Sequence, residues 1–93
     1  MGDNHELMQE IIEIARADLP LRLEQLQQAA TAKDRTAIKH AAHSIKGMAA
    51  NLSALQLQHS AGQLEHQPDT AGFPLLQQMT VPVEEKVTTL LEQ

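Results

Sequence analysis

Residues 39–54 read KHAAHSIKGMAANLSA, and the spacing of their apolar side chains predicts a helix with two unlike faces. At roughly 100° per residue, five residues fall within about 40° of one direction and form the predicted buried stripe: Ile38, Ala42, Ile45, Ala49 and Leu52. On the same helical wheel His43 lies roughly 140° from the stripe, Lys46 about 80° and Gly47 about 180°. The pattern therefore predicts that His43 faces water.

Gly47 is unexpected inside this helix, because an interior glycine costs on the order of 1 kcal/mol relative to alanine and packs nothing. It lies one turn beyond His43, where a missing side chain leaves the imidazole approachable. Lys46, three residues after His43, can bring its ammonium toward whatever binds at that ring. An exposed histidine with a cation beside it and bare backbone beyond it suits a phosphoryl group carried on nitrogen.

The longer run HSIKGMAANLSALQLQHSAGQLE, residues 43–65, resembles the signature of histidine phosphotransfer (HPt) domains, the all-helical carriers of bacterial multistep phosphorelays. Both contain His-x-x-Lys-Gly, then small residues, then a second amphipathic helix that ends near Glu. The family commonly has Gly ten residues after the histidine, where this chain has Ser53. The resemblance covers residues 5–92, which we predict to be one domain, and residues 1–4 are predicted to be a flexible N-terminal tail.

Composition favours a small helical bundle. Ninety-three residues allow one domain, and the 42% hydrophobic content with Phe73 as the single aromatic predicts an aliphatic core. The chain has no cysteine for a disulfide or thiolate site, and no apolar run that approaches a membrane span or signal peptide. We therefore expect a cytoplasmic domain without direct membrane contact, either alone or as the cytoplasmic end of a membrane-bound sensor kinase. The net charge of −5 argues against nucleic acid as a partner.

The charge is unevenly distributed. No acidic residue occurs between Arg35 and Leu64, while Arg35, Lys39 and Lys46 all lie there. Two interpretations remain open at this point. Thirty residues can lack acids by chance in so short a chain, or the region meets a phosphate and an acidic partner site.

The remaining segments predict further helices. A first amphipathic helix over 5–16 is expected to bury one set of apolar residues, and the segment around Pro20 to start a new helix. Asp34 is expected to cap the helix of His43, and Ser53 with Gln56 to form a capping box for a helix over 54–66. The apolar residues that the helix over 5–16 is expected to bury are Leu7, Met8, Ile11, Ile12 and Ala15.

The last segment keeps one helical phase from Leu76 to Leu90 across Pro82, which predicts a single kinked helix. Short connections between helices favour antiparallel neighbours. The predicted fold is therefore all-α, an antiparallel four-helix bundle with a short extra N-terminal helix, and the resemblance implies the same bundle.

The other histidines are alternative candidates for a site. His40 and His43 form an i,i+3 pair, but no cysteine or carboxylate lies near them in sequence, so we expect no metal site and no cofactor. His59 and His66 are predicted to be solvated surface residues. His40 competes with His43 as an acceptor because it also faces outward, yet its own i+3 neighbour is His43 rather than a cation.

The resemblance implies a carrier that takes a phosphoryl group from the aspartate of a receiver domain onto Nε2 of His43 and passes it to a second receiver. Lys46 would offset the phosphate charge, and the receiver would supply Mg²⁺. Because the chain lacks a glycine-rich phosphate loop and an acidic Mg²⁺ cluster, we predict no ATP site and no enzyme activity of its own, although the domain could be one module of a larger sensor histidine kinase.

The predicted docking face is small and suits a transient complex with a monomer. Its residues are Lys39, His40, Gly47, Ala50 and Leu55. A second hypothesis, from another class, is a non-catalytic helical module for protein–protein interaction or dimerisation, in which His43 has no chemistry.

Overall fold

The chain folds into four helices in a computed structural model that describes residues 3–52 and 54–92, with side chains from residue 6 onward. Helix α1 spans Asp3–Ala32, α2 Arg35–Asn51, α3 Leu55–Glu65 and α4 Phe73–Leu91. Within the described ranges there is no strand. Each helix packs against the next in sequence, and α4 packs against α1, so the four close into a bundle. The predicted all-α bundle is confirmed.

Contacts between the first and last helices show that they are antiparallel. The guanidinium of Arg16 donates to the carbonyl of Leu91 at 3.1 Å, and the amide of Gln77 donates to the carbonyl of Ala30 at 3.0 Å. The start of α4 thus lies beside the end of α1, and the end of α4 lies beside Arg16.

Helix α1 is a single helix of 30 residues that runs through Pro20, so the prediction of a separate short N-terminal helix was wrong. Ala15, Leu19 and Leu26 are buried and keep one helical phase across the proline. Pro20 itself is exposed. Burial of the same face on both sides holds the helix together, and the proline is accommodated on the solvent side, where helices tend to bow outward.

The first turns of α1 extend past the rest of the bundle. Helix α2 runs back along α1 for 17 residues and therefore ends level with about Ala15, and α4 ends beside Arg16. We call residues 3–14 the N-terminal overhang. Leu7, Met8 and Ile11 were predicted to be buried, but all are exposed because no helix of the bundle reaches them, and Ile12 is only half-buried.

The turn into α2 follows the sequence prediction. Asp34 is the N-cap, and its carboxylate accepts a hydrogen bond from the Ala37 amide at 3.1 Å. Lys33, just before it, adopts a left-handed conformation with φ of 57°. That conformation reverses the chain within two residues, so α2 starts directly against α1.

Helix α3 starts at Leu55 with Ala54 as its N-cap and no side-chain capping hydrogen bond. The predicted capping box depends on Ser53, which lies outside the described residues. The buried face of α3 is the predicted one, Leu57, Ala61 and Leu64.

Helix α4 continues through Pro82 as a single helix, which confirms the prediction made from its phase.

The core is aliphatic, as the composition predicts. Several of the contacting side chains between helices are alanines, so the helices can approach closely. The side chains that are fully buried and largest are Leu19, Leu26, Ile38, Ile45, Leu57, Leu64, Val83 and Val87.

Replacing Pro20 with alanine tests the continuity of α1. Within a continuous helix, Pro20→Ala restores the hydrogen bond to the Arg16 carbonyl and removes a steric clash, so we expect stabilisation of about 1–3 kcal/mol in the free energy of unfolding. Alanine also gives the unfolded chain more conformational entropy than proline does, which reduces the expected stabilisation by a few tenths of a kcal/mol. The measurement is urea unfolding of both chains. A neutral or destabilising effect would instead fit a proline at the first turn of a separate helix.

Candidate functional site

The α2–α3 hairpin brings three side chains together at the bundle surface. His43 and Lys46 lie one turn apart on α2, and Glu65 lies in the last turn of α3, which passes α2 in the opposite direction. The Glu65 carboxylate contacts both: Oε2 is 2.5 Å from His43 Nδ1, and Oε1 is 2.5 Å from Lys46 Nζ. One carboxylate therefore joins the predicted acceptor to the predicted cation.

The contact with Glu65 fixes which nitrogen of His43 is available. A carboxylate only accepts hydrogen bonds, so Nδ1 must carry the proton that it donates. In the neutral ring the lone pair then resides on Nε2. The His43 side chain is 68% exposed, so this nitrogen is accessible from solvent, as the helical wheel predicts for His43. The contact thus orients the ring and leaves Nε2 as the nitrogen with a free lone pair.

Lys46 reaches Glu65 by crossing α3 at a glycine. A Cβ atom added at Gly62 would lie 3.4 Å from Cδ of Lys46, so the absence of a side chain leaves room for the lysine stem. Lys46 is half-buried, with 29% of its side chain exposed. Its ammonium is thereby held beside the same carboxylate as the His43 ring.

Glu65 is held in its ionised form. Contact with the Lys46 ammonium is the main cause that keeps the pKa of the Glu65 carboxyl below its ordinary value of 4.5; burial opposes this shift, and the His43 ring adds to it. Only 18% of the side chain is exposed, so the contacts are partly shielded from water. A half-buried carboxylate with two partners is a stable acceptor for the hydrogen bond from Nδ1.

Sequence reasoning missed Glu65. The sequence has no acidic residue between Arg35 and Leu64, so no carboxylate was expected near His43. Glu65, which directly follows Leu64, supplies one. The signal was present in the antiparallel hairpin: a residue at the end of α3 must lie beside the middle of α2.

The cations of the acid-poor segment have partners within the chain. Arg35 donates to the Ala71 carbonyl at 2.7 Å and lies 4.8 Å from the centre of the Phe73 ring. Lys39 pairs with Asp69 at 2.9 Å. These contacts tie the loop before α4 to the start of α2, so Arg35 and Lys39 serve the fold.

Of the predicted docking residues, four lie within two turns of His43 on α2, and Leu55 lies ten residues before Glu65, at the other end of α3. His40, Gly47 and Ala50 are exposed on α2, and Leu55 at the start of α3 is 74% exposed. A Cβ at Gly47 would meet nothing within 4 Å, so the surface at Gly47, one turn after His43, is open. Lys39 is on the same side, but its ammonium is engaged by Asp69.

Of the other described histidines, His66 lies at the edge of this contact, with Nδ1 4.0 Å from Oε1 of Glu65. His40, His59 and His66 are exposed, and His66 donates from Nδ1 to the Gly62 carbonyl at 2.7 Å. Among the residues the structure describes, no three histidine, cysteine or acidic side chains form a group that could hold a metal ion. None of the described helices is both long and apolar enough to cross a membrane.

Comparison with known families gives a match over most of the chain. The sequence model of the Hpt domain matches residues 10–93, which include His43, Lys46 and Glu65. Searches of curated proteins and of solved structures gave no significant match.

The ionised state of Glu65 predicts an acid-dependent loss of stability. Because its folded-state pKa is below the unfolded value, the contacts of Glu65 stabilise the fold above pH 4.5, and this contribution is lost as the pH falls through the lowered pKa. At pH 7 we expect the free energy of unfolding of the wild type to exceed that of Glu65→Gln by less than about 1 kcal/mol, because the ion pair is partly exposed. This gap in stability should close in acid. Melts of both chains between neutral pH and pH 3 measure it, and a gap independent of pH would contradict the assignment.

Proposed function

Because this chain belongs to the Hpt domain family, whose members carry phosphoryl groups in two-component signalling, we propose that His43 is its phosphoryl acceptor in a relay between two receiver domains. One observation supports this choice of residue most directly. His43 is exposed, its Nδ1 donates to an ionised carboxylate, and the same carboxylate holds the ammonium of Lys46.

In the proposed transfer, Nε2 attacks the phosphorus of the receiver's aspartyl phosphate. A P–N bond forms, the P–O bond to aspartate breaks, and the aspartate leaves as a carboxylate. The His43 ring gains positive charge while Nδ1 keeps its proton, and Glu65 stabilises that charge through the hydrogen bond. Transfer to the second receiver reverses these steps.

Lys46 and Gly47 have complementary proposed roles. The Lys46 ammonium lies against the same carboxylate as the His43 ring and can turn toward a phosphoryl group on Nε2, where it would offset the negative charge. Open space at Gly47 would let the partner's loops approach the ring for in-line attack. Mg²⁺ belongs to the receiver in this scheme, and the chain needs no nucleotide of its own.

The proposed docking face surrounds His43 with His40, Gly47 and Ala50 of α2, and the exposed Leu55 of α3 provides an apolar margin. Such a face is small, so each complex would be short-lived, as a carrier that serves two partners requires. Because Lys39 is paired with Asp69, we assign it only an outlying part in docking.

Loss of label from one histidine variant tests the acceptor. Radiolabel from a phosphorylated receiver should pass to the wild type and to His40→Gln, and should be absent from His43→Gln, because only Nε2 of His43 has the required surroundings. The label should be lost in acid and kept in base, as expected of a phosphoramidate. Label that persists in His43→Gln would reject this site. Absence of label from every chain, with a range of receivers, would favour a purely structural interaction module.

Gly47→Ala separates the fold from docking. At this exposed helical site a methyl group meets nothing within the chain, so alanine should raise the free energy of unfolding by a few tenths to about 1 kcal/mol. Transfer from the receiver should nevertheless slow, because the methyl group lies where the partner approaches. Thermal melts and transfer rates of the same preparations measure the two effects. Ala17→Gly, at an exposed site of α1 outside the proposed docking face, is the reverse control for helix propensity. An unchanged transfer rate in Gly47→Ala would contradict the need for open space.

A further inference from the structure

The N-terminal overhang carries an apolar surface that the bundle does not use. Leu7 is 55% exposed, Met8 60%, Ile11 39% and Ile14 67%. Of the large apolar side chains that are exposed in the described residues, half lie in this stretch of two turns. Scattered exposed leucines are ordinary, but a cluster on one helical segment marks an interaction surface.

The spacing of these residues is that of a helix-pairing seam. Ile11 follows Leu7 by four residues, Ile14 follows Ile11 by three, and Leu21, which is 56% exposed, follows Ile14 by seven. These are the a and d positions of a heptad, with the polar Asp18 at one a position. The face that packs in the bundle, through Ala15, Leu19 and Leu26, is a different one, about 100° away on the wheel.

The charge of the overhang has one sign. Residues 3–14 contain four acidic residues and no lysine or arginine, and the first cation of α1 is Arg16. Acids in the first turn would be explained by the helix dipole, but that effect fades beyond one turn. Glu10 and Glu13 are exposed in the second and third turns, where like charges at this spacing destabilise a helix.

We propose that the overhang is a docking site for an amphipathic helix of a partner protein that bears lysine or arginine beside its own apolar seam. Such a helix covers Leu7, Ile11 and Ile14, and its cations pair with Glu10, which lies at the g position beside the seam. The overhang is about 18 Å long, so the contact is small and the complex reversible. This inference does not rest on the phosphoryl chemistry of His43.

Charge also argues against two other occupants. A second copy of the chain would bring another set of four acids against the first, and an anionic membrane surface would repel the overhang in the same way. Both are separable from the proposed partner by experiment.

The test uses the full chain and a labelled synthetic peptide of about three heptads, with leucine at a and d and lysine at e and g. A peptide with glutamate in place of lysine is its matched control. We expect the lysine peptide to bind at least about tenfold more tightly in fluorescence anisotropy, and its binding to weaken as salt is added. Equal binding of the two peptides would overturn the proposal.

Variants of the overhang and of α4 locate the binding. Ile11→Ser with Ile14→Ser should lose about tenfold or more of the affinity, whereas Leu75→Ser with Val81→Ser, at similarly exposed sites on α4, should bind like the wild type. Glu10→Gln keeps the helix propensity and the seam and should also weaken binding, whereas Glu13→Gln, at the c position away from the seam, should bind like the wild type. Equal loss in the α4 control would overturn the assignment.

Sedimentation of the chain alone and with vesicles decides between occupants. We expect a monomer at micromolar concentration and no binding to vesicles that contain anionic lipid. A dimer that Ile11→Ser with Ile14→Ser abolishes would replace the proposed partner with a second copy. Vesicle binding lost in the same variant would replace it with a membrane.

Discussion

The close approach of α2 and α3 is the constraint on which the site depends. Ala42, Ala49 and Ala61 are fully buried, and small side chains between helices allow the backbones to come near each other. Only at such a separation can the short side chain of Glu65 reach across to α2 and contact His43 and Lys46 together. Larger residues in place of these alanines would push the helices apart and separate the carboxylate from its partners. The packing of the core therefore determines the geometry of the contact at the surface.

The same hairpin explains why the acid-poor segment carries three cations. Each of Arg35, Lys39 and Lys46 is satisfied by groups that follow Leu64 in the chain: a carbonyl and a ring, Asp69, and Glu65. The acids missing from α2 are thus supplied by the end of α3 and the loop that follows. Both of the interpretations considered from sequence, chance and an external acidic partner, overlooked this internal pairing.

Helical periodicity was sufficient to predict which faces of α2, α3 and α4 are buried, because those faces repeat over several turns and one partner helix covers each of them. It failed at α1 in two ways. Leu7, Met8 and Ile11 have the pattern of a buried face, but a pattern records that a face is apolar and says nothing about whether a neighbour is long enough to cover it. The prediction of a break at Pro20 was wrong because Leu19 and Leu26 keep one helical phase across the proline. The same criterion, applied to Pro82, correctly predicts that α4 is one helix. Glu65 could not be assigned from local sequence because its partners lie more than 18 residues away, and only the path of the hairpin brings them together.

The ion pair between Lys46 and Glu65 bears on how tightly the proposed carrier would hold its cargo. A lysine with no partner would give its whole attraction to an arriving phosphoryl group, and the product would be hard to discharge. Here the ammonium is already neutralised, so turning toward phosphate exchanges one anionic partner for another. The free energy gained when the ammonium turns from Glu65 to phosphate is therefore only the difference between two similar ion pairs. With this resting state, Lys46 itself adds little to the free energy with which the proposed carrier would hold a phosphoryl group, so its charge favours neither loading nor unloading strongly.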